Sequence, residues 1–362
     1  MSVEDMRKRP EVGENLNAQK VAVLWNGQTS FTGMGEGLCQ SSPSARKLYD
    51  YTARTLGVSL NSLHLKDLEN PDTQGVQFAN APYNMASWNE LRALYPGLQI
   101  QILGGHSFGE GFASVPAGAV TYDNFLAFLK TRTELMKSVN EQNPGALMAL
   151  TTRRSKTMEE RDEKLQAFPE ISRELQEKFG VEVATYSSSS RQTIGGRLEA
   201  VQEAIEYAKR LRNYVVAQII SLNGAPHTSL YAPIVDDLRS AIRSIRDGIV
   251  DPVIPMLTCS KPNPEIMTTA QAIEDEIVAQ ATQPVYGDKQ QAFLLQNGFA
   301  VIQIGEKPMI AENIVEDFGD EVEMERVESH TGRTIALGVG GALVTGAALT
   351  LGWKVTHRKK LN

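Results

Sequence analysis

The chain has 362 residues and a formal net charge of −7 at neutral pH. That length buries a large core in two or three domain-sized units, and the acidic balance argues against nucleic acid as a main partner, because phosphate binding needs a basic field. Two cysteines, Cys39 and Cys259, without metal-ligand spacing fit a reducing compartment, and five scattered histidines with no H-x-x-x-H pair argue against a zinc site.

Residues 1–19 mix acidic and basic side chains without an apolar run, so they read as a flexible, solvated leader and not as a targeting signal. Lys20–Trp25 reads as a buried first strand, followed by the polar loop Asn26-Gly27-Gln28-Thr29-Ser30 and by Gly33-Met34-Gly35. Helical patterning covers 43–56 and Met85–Tyr95. The run Leu98–Leu103 is strand-like and leads straight into Gly105-His106-Ser107-Phe108-Gly109, after which helical patterning resumes. Tyr122–Val139 is a further helix.

Residues 145–222 form a unit of their own. Strand-like Gly145–Leu150 is followed by a charged helix over Lys156–Lys178, with Pro169 as a point of interruption. Short strands at Val181–Tyr186 and Gln192–Ile194, an amphipathic helix at Leu198–Leu211 and a β-rich run at Tyr214–Leu222 complete a β-α-β-β-α-β order, the ferredoxin-like arrangement. Alternation then resumes: helix Ile234–Ile245, strand Val253–Thr258, helices Thr268–Ala281 and Gln290–Asn297, strand Ala300–Ile304. The economical architecture is α/β: a large α/β-hydrolase-like subdomain over 20–144 and 223–325, interrupted by the ferredoxin-like small subdomain at 145–222.

Thr334–Trp353 is uncharged over twenty residues, flanked by Arg333 and by Lys354, Arg358, Lys359 and Lys360. Its length suits a bilayer span, and Gly338, Ala342 and Gly346 fall four apart on one helical face. Against a simple span, the positive-inside rule would hold the basic cluster in the cytosol and place the large domain outside. The segment is therefore a candidate transmembrane or membrane-associated helix, or a Gly/Ala-rich helix packed in protein, on a chain otherwise expected in the cytoplasm.

Chemistry concentrates at Ser107. G-x-S-x-G between a strand and a helix is the nucleophile-elbow pattern: the turn is so tight that only glycines fit at 105 and 109, and the serine hydroxyl stands exposed. A serine hydroxyl needs a base. His106 is beside Ser107 in the elbow, His330 and His357 flank the apolar tail, and His64 lies in a featureless polar stretch. His227 stands in Asn223-Gly224-Ala225-Pro226-His227-Thr228, a loop after a strand and before a helix, where α/β folds present catalytic groups.

With these motifs in order, residues 20–315 resemble the malonyl-CoA:acyl carrier protein transacylases and the acyltransferase domains of fatty-acid and polyketide synthases. The opening loop 26–35 resembles the family's P-G-Q-G-S…G-M-G; Gly105–Glu110 matches G-H-S-x-G-E; Gly224–His227 resembles G-A-F-H; Ala279 to Val285, with Gln280 second, resembles R-Q-L-x-x-P-V; and Gly305-Glu306-Lys307 stands where G-P-G-K is usual. The resemblance implies an acyltransferase with Ser107 as nucleophile and His227 as base, the latter oriented by the backbone carbonyl at Gln280. It implies an oxyanion hole from the main-chain N–H groups of Gln28 and Phe108. Arg132, alone an ordinary solvated helix residue, takes the family arginine's position and would grip the malonyl carboxylate; Gln77 matches a second pocket glutamine. The implied partners are malonyl-CoA and an acyl carrier protein, with no metal and no bound cofactor. Because that carrier is usually acidic, Lys209, Arg210 and Arg212, or Arg239, Arg243 and Arg246, are candidate docking patches; such clusters are more often plain solvated helix faces.

Departures from the pattern leave alternatives open. Asn26 replaces the opening proline, Thr29 its second glycine, Pro226 the usual Phe, and Glu306 a proline; Ser187 takes the place of a pocket asparagine in a loop one residue longer. An acyl-thioester hydrolase of the same fold, or an inactive membrane-tethered scaffold, are the competing readings.

Overall fold

Lys20–Trp25 forms β1, and Val21 to Trp25 are completely buried. A continuous apolar run suits a strand flanked on both sides by parallel neighbours, with both faces covered. The computed structural model describes residues 20–67, 72–221, 224–245, 248–305, 307, 309–319, 322–328 and 350–357. The leader at 1–19 lies outside them.

In chain order β1 is followed by α1 (Glu36–Ser41), α2 (Pro43–Leu56), α3 (Leu60–Leu63), α4 (Thr73–Leu94), β2 (Ile100–Gly105), α5 (Phe108–Ala113) and α6 (Tyr122–Gln142). Then come β3 (Gly145–Thr152), α7 (Met158–Phe179), β4 (Glu182–Ser188), β5 (Arg191–Arg197), α8 (Leu198–Ala208) and β6 (Val215–Ser221). The remainder is α9 (Val235–Arg243), β7 (Met256–Leu257), β8 (Ile266–Met267), α10 (Ala270–Ala279), β9 (Val285–Tyr286), α11 (Gly287–Gln296), β10 (Phe299–Ile304), α12 (Met309–Phe318), β11 (Val322–Glu328) and β12 (Thr350–His357).

The chain forms two compact units: one of residues up to 71, Gly75–Pro116 and Phe293 onward, the other of Asp72–Gln74 and Ala117–Ala292. In the first, the strands follow the order β11-β12-β10-β1-β2. β1 runs parallel to both β10 and β2, with Trp25 opposite Ile304 on one side and Gly105 on the other. The carboxyl ends of three strands are thus level, and the loops leaving them emerge side by side. That is where open α/β sheets place their ligands.

In the second unit, β6-β3-β5-β4-β9 form a sheet; β3, β4, β5 and β6 pair antiparallel, and β9 adds parallel to β4. Strands and helices from 145 to 221 alternate β-α-β-β-α-β. Phe168, Ile171 and Leu175 of α7 and Val201, Ala204 and Ile205 of α8 pack with Met148, Val183 and Ile194 of the sheet in one apolar core. α7 runs unbroken through Pro169.

The strand expected over Val253–Thr258 shortens to Met256–Leu257, since Pro252 and Pro255 withhold the N–H groups a ladder needs. The apolar tail requires a correction. Its last four residues, Thr350–Trp353, and the flanking Lys354 belong to β12, which pairs antiparallel with β10 and β11. Threonine, valine and tryptophan around this point favour extended backbone over helix. Residues 334–349 of that candidate helix lie outside the described residues. Among the described residues no helix is long and apolar enough to cross a membrane.

Candidate active site

Ser107 sits between β2 and α5 with φ 52° and ψ −118°, a conformation rare for a residue with a side chain. Close packing imposes it. A Cβ at Gly105 would come within 2.5 Å of the Trp25 carbonyl oxygen, and one at Gly109 would overlap the carbonyl oxygens of Trp25 and Asn26. The turn is pinned by His106 N–H donating to Trp25 O at 3.0 Å and Gly109 N–H donating to His106 O at 2.9 Å. The sequence pattern read as a nucleophile elbow therefore folds as a strained turn at the end of a buried strand. Ser107 is half-buried.

The loop leaving β1 lies against this elbow. A Cβ at Gly27 would meet His106 O at 3.2 Å and Ser107 Cβ at 3.7 Å, so Gly27 lets the main chain before Gln28 pass beside the serine. Helix α4 holds the next two residues from its buried face. Gln77 Nε2 donates to Gln28 Oε1 at 3.2 Å, and Asn80 Nδ2 donates to Thr29 O at 2.7 Å. Asn26 is fixed from the far side, its Nδ2 donating to Lys307 O at 2.9 Å. Ser107, Phe108, Gln28 and Gln77 are thus gathered in the first unit.

The second unit gathers His227, Gln280 and Arg132. His227 Nδ1 lies 2.6 Å from the main-chain oxygen of Gln280, and its backbone N–H donates to Ala281 O at 3.0 Å. The oxygen is available for a local reason. Gln280 caps the C-terminus of α10, where carbonyls lose their intrahelical partners. Four residues on stands Pro284, which has no N–H to offer it. Burial pushes the His227 imidazole down to about 4; the carbonyl of Gln280 acts upward, the Arg132 cation downward and the carbonyl of Gln283 upward. The imidazole is therefore neutral at pH 7 and able to accept a proton.

Arg132 projects from α6. Burial lowers its guanidinium to about 10 while the nearby Tyr231 acts in the opposite direction, so it remains a cation at neutral pH. Tyr231, absent from the sequence-derived candidates, is buried and donates to Asn140 Oδ1 at 2.7 Å; burial raises its phenol to about 12. Nothing in the local sequence distinguishes it. Ser187 lies in β4 at a register shift between Tyr186 and Ser188.

Several cations of the two basic clusters are in ion pairs. Arg239 pairs with Glu274 at 3.0 Å and Asp275 at 2.7 Å, Arg243 pairs with Glu274 at 2.8 Å, and Lys209 pairs with Glu206. Arg246 lies outside the described residues.

Known proteins are similar to this chain in sequence and in fold. The chain is 26% identical over 290 residues to the malonyl CoA-acyl carrier protein transacylase of Bacillus subtilis, covering 79% of this chain and 86% of that one. It is 27% identical over 252 residues to the mitochondrial malonyl-CoA-acyl carrier protein transacylase of Mus musculus, covering 66% and 61%. Among solved structures, the malonyl CoA-acyl carrier protein transacylase of Coxiella burnetii superposes with a TM-score of 0.69 at 22% identity, covering 82% and 90%, which establishes a shared fold. The acyl transferase domain model matches residues 24–330, most of the chain, including the Gln28 loop, the turn at Ser107 and His227. On that match, the chain belongs to the acyl transferase domain family.

Proposed function

We propose that the protein moves a malonyl group from malonyl-CoA to the phosphopantetheine thiol of an acyl carrier protein, through an acyl-enzyme on Ser107, in fatty-acid or polyketide synthesis. The observation that carries the reading is Ser107 itself, a hydroxyl held at φ 52° on a packed elbow with the Gln28 loop against it. Ser107 Oγ attacks the thioester carbonyl and His227 Nε2 takes its proton. The oxyanion that forms is held by the main-chain N–H groups of Gln28 and Phe108. The C–S bond breaks, and CoA leaves as a thiol with the proton from His227. In the second half His227 takes the proton of the carrier thiol, the sulfur attacks the ester, and Ser107 Oγ recovers the proton.

Arg132 supplies specificity in this reading. Its planar fork makes two charge-assisted bonds to the free carboxylate of malonate, which acetate lacks. The steps use only side chains, backbone and the two thiols, with no metal or bound cofactor. Relatives named for malonyl transfer, and a malonyl-transacylase solved in complex with an acyl-carrier protein, support the partner. An acidic chain with two free thiols, Cys39 and Cys259, fits a cytoplasmic setting.

The test is intact-protein mass spectrometry after brief mixing with malonyl-CoA or acetyl-CoA. A malonyl adduct present in the wild type, absent in Ser107→Ala and passed on to added holo-carrier protein is the expected result. An adduct that decays to free malonate in the presence of carrier would make the protein a hydrolase.

A further inference from the structure

We propose that Asn80 is a positioning residue for acylation: it fixes Thr29, and through it the main-chain N–H of Gln28, in the orientation that receives the oxyanion. The inference rests on the reading of Gln28 as an oxyanion donor and adds a residue that no sequence motif indicates. Asn80 is only 1% exposed and spends its hydrogen-bonding capacity on two residues. Nδ2 donates to Val76 O on its own helix at 2.7 Å and to Thr29 O at 2.7 Å. Oδ1 accepts from Thr29 Oγ1 at 3.3 Å and from Thr29 N–H at 3.5 Å.

The geometry explains why this matters to Gln28. Thr29 N–H belongs to the peptide that joins residues 28 and 29, and Thr29 O to the next one. Holding both sets the planes on either side of Thr29, so the peptide leaving Gln28 is fixed and the Gln28 N–H can turn only by rotation at Gln28 itself. Gln77, three residues before Asn80 on the same helical face, takes the Gln28 side chain. Gly27 is pressed against the elbow, and Asn26 N–H donates to Ile304 O at 3.5 Å. The segment is therefore held residue by residue, and its N–H vectors are set before substrate arrives, which is what electrostatic stabilisation of an oxyanion requires. Thr29, where the resembling family carries glycine, brings the hydroxyl that Asn80 Oδ1 accepts. The two residues form a matched pair.

The experiment is rapid-quench acylation of Ser107 by saturating malonyl-CoA, normalised to folded protein, for wild type, Asn80→Leu, Thr29→Ala and the double variant. Asn80→Leu is expected to slow the acylation rate constant by roughly 10- to 100-fold, short of the loss seen when an oxyanion donor is removed outright, with KM for malonyl-CoA within about twofold. Thr29→Ala keeps the backbone bonds and is expected to cost about threefold, with the double variant no slower than Asn80→Leu alone, because the pair acts as one unit. An Asn80→Leu protein that acylates within about twofold of wild type, or a double variant showing simple additivity, overturns the proposal. If Asn80→Leu does not fold, Asn80→Asp, which keeps the acceptor oxygen and loses both donations, carries the same comparison. A wild type that never labels Ser107 refutes the reading of the site itself, whereas a labelled wild type with an equally fast Asn80 variant refutes only this inference.

Discussion

His227 Nδ1 and the main-chain oxygen of Gln280 are 2.6 Å apart. A carbonyl oxygen only accepts, so Nδ1 carries the proton and the lone pair sits on Nε2, the tautomer a base needs. The carbonyl lies on a helix C-terminus, whose partial negative charge favours the imidazolium over the neutral ring. This role belongs to the backbone. Gln280→Ala should leave transfer within about threefold of wild type, a change of under 1 kcal/mol in barrier. His227→Ala should lower it by roughly 100- to 10,000-fold. Steady-state transfer assays on the two variants decide; equal damage from both would return the role to the Gln280 side chain.

Acid should act on His227 at an unusually low pH. Burial places the His227 imidazole at about 4, below the ordinary histidine value of 6.5. Single-turnover acylation should therefore stay level through pH 6 and fall along an acid limb near pH 4. The linkage has a matching sign. Between pH 6.5 and 4 the unfolded chain binds a proton at this histidine that the folded chain does not, so stability declines as pH falls through that window. A rate profile with its acid limb at 6.5 would contradict a buried, neutral His227 acting as base.

The legible parts of this chain were those where local chemistry is uncompromising. A tight elbow requires Gly105 and Gly109, and a doubly flanked strand requires the apolar run of β1. The N-terminal half of α4 was not legible, because Gln77, Asn80 and Asn84 are polar residues on its buried face and break the apolar period. Two of these three hold the loop at Gln28 and Thr29, so the apolar period fails where the helix makes polar contacts to that loop. The Gln280 carbonyl had a readable signal in retrospect: a proline four residues on. Tyr231 beside Arg132 had none, since residues so far apart in sequence meet only through the packing of α6 against the turn after His227.

Strain at Ser107 gives a stability prediction of opposite sign to its expected effect on activity. Ser107 occupies φ 52°, ψ −118°, and positions of this kind cost of order 1–3 kcal/mol for a residue with a Cβ. Ser107→Gly should abolish the acyl adduct and raise the unfolding free energy by about 1 kcal/mol, the glycine's greater unfolded-state entropy offsetting part of the relief. Ser107→Ala, which keeps the Cβ, should abolish the adduct without that gain. Urea unfolding of the three proteins settles it; a Ser107→Gly protein less stable than Ser107→Ala would mean that the surrounding contacts, and not the elbow geometry, dominate.

Arg132 should control which acyl group is accepted. Its guanidinium stays charged at neutral pH, and hydrogen bonds to a charged group are worth about 1.5–3 kcal/mol. Removing it should therefore lower kcat/KM for malonyl-CoA by roughly 10- to 150-fold. Acetyl-CoA has no carboxylate to lose, and relief of a cation facing its methyl group should leave its kcat/KM unchanged or raised. Arg132→Lys keeps the charge without the planar fork and should fall between the two, because an ammonium cannot make the paired, coplanar contact. Competition assays that mix both thioesters with wild type, Arg132→Ala and Arg132→Lys measure the ratio directly. An equal drop for malonyl and acetyl groups would assign Arg132 to the integrity of its helix, leaving recognition of the carboxylate to other residues.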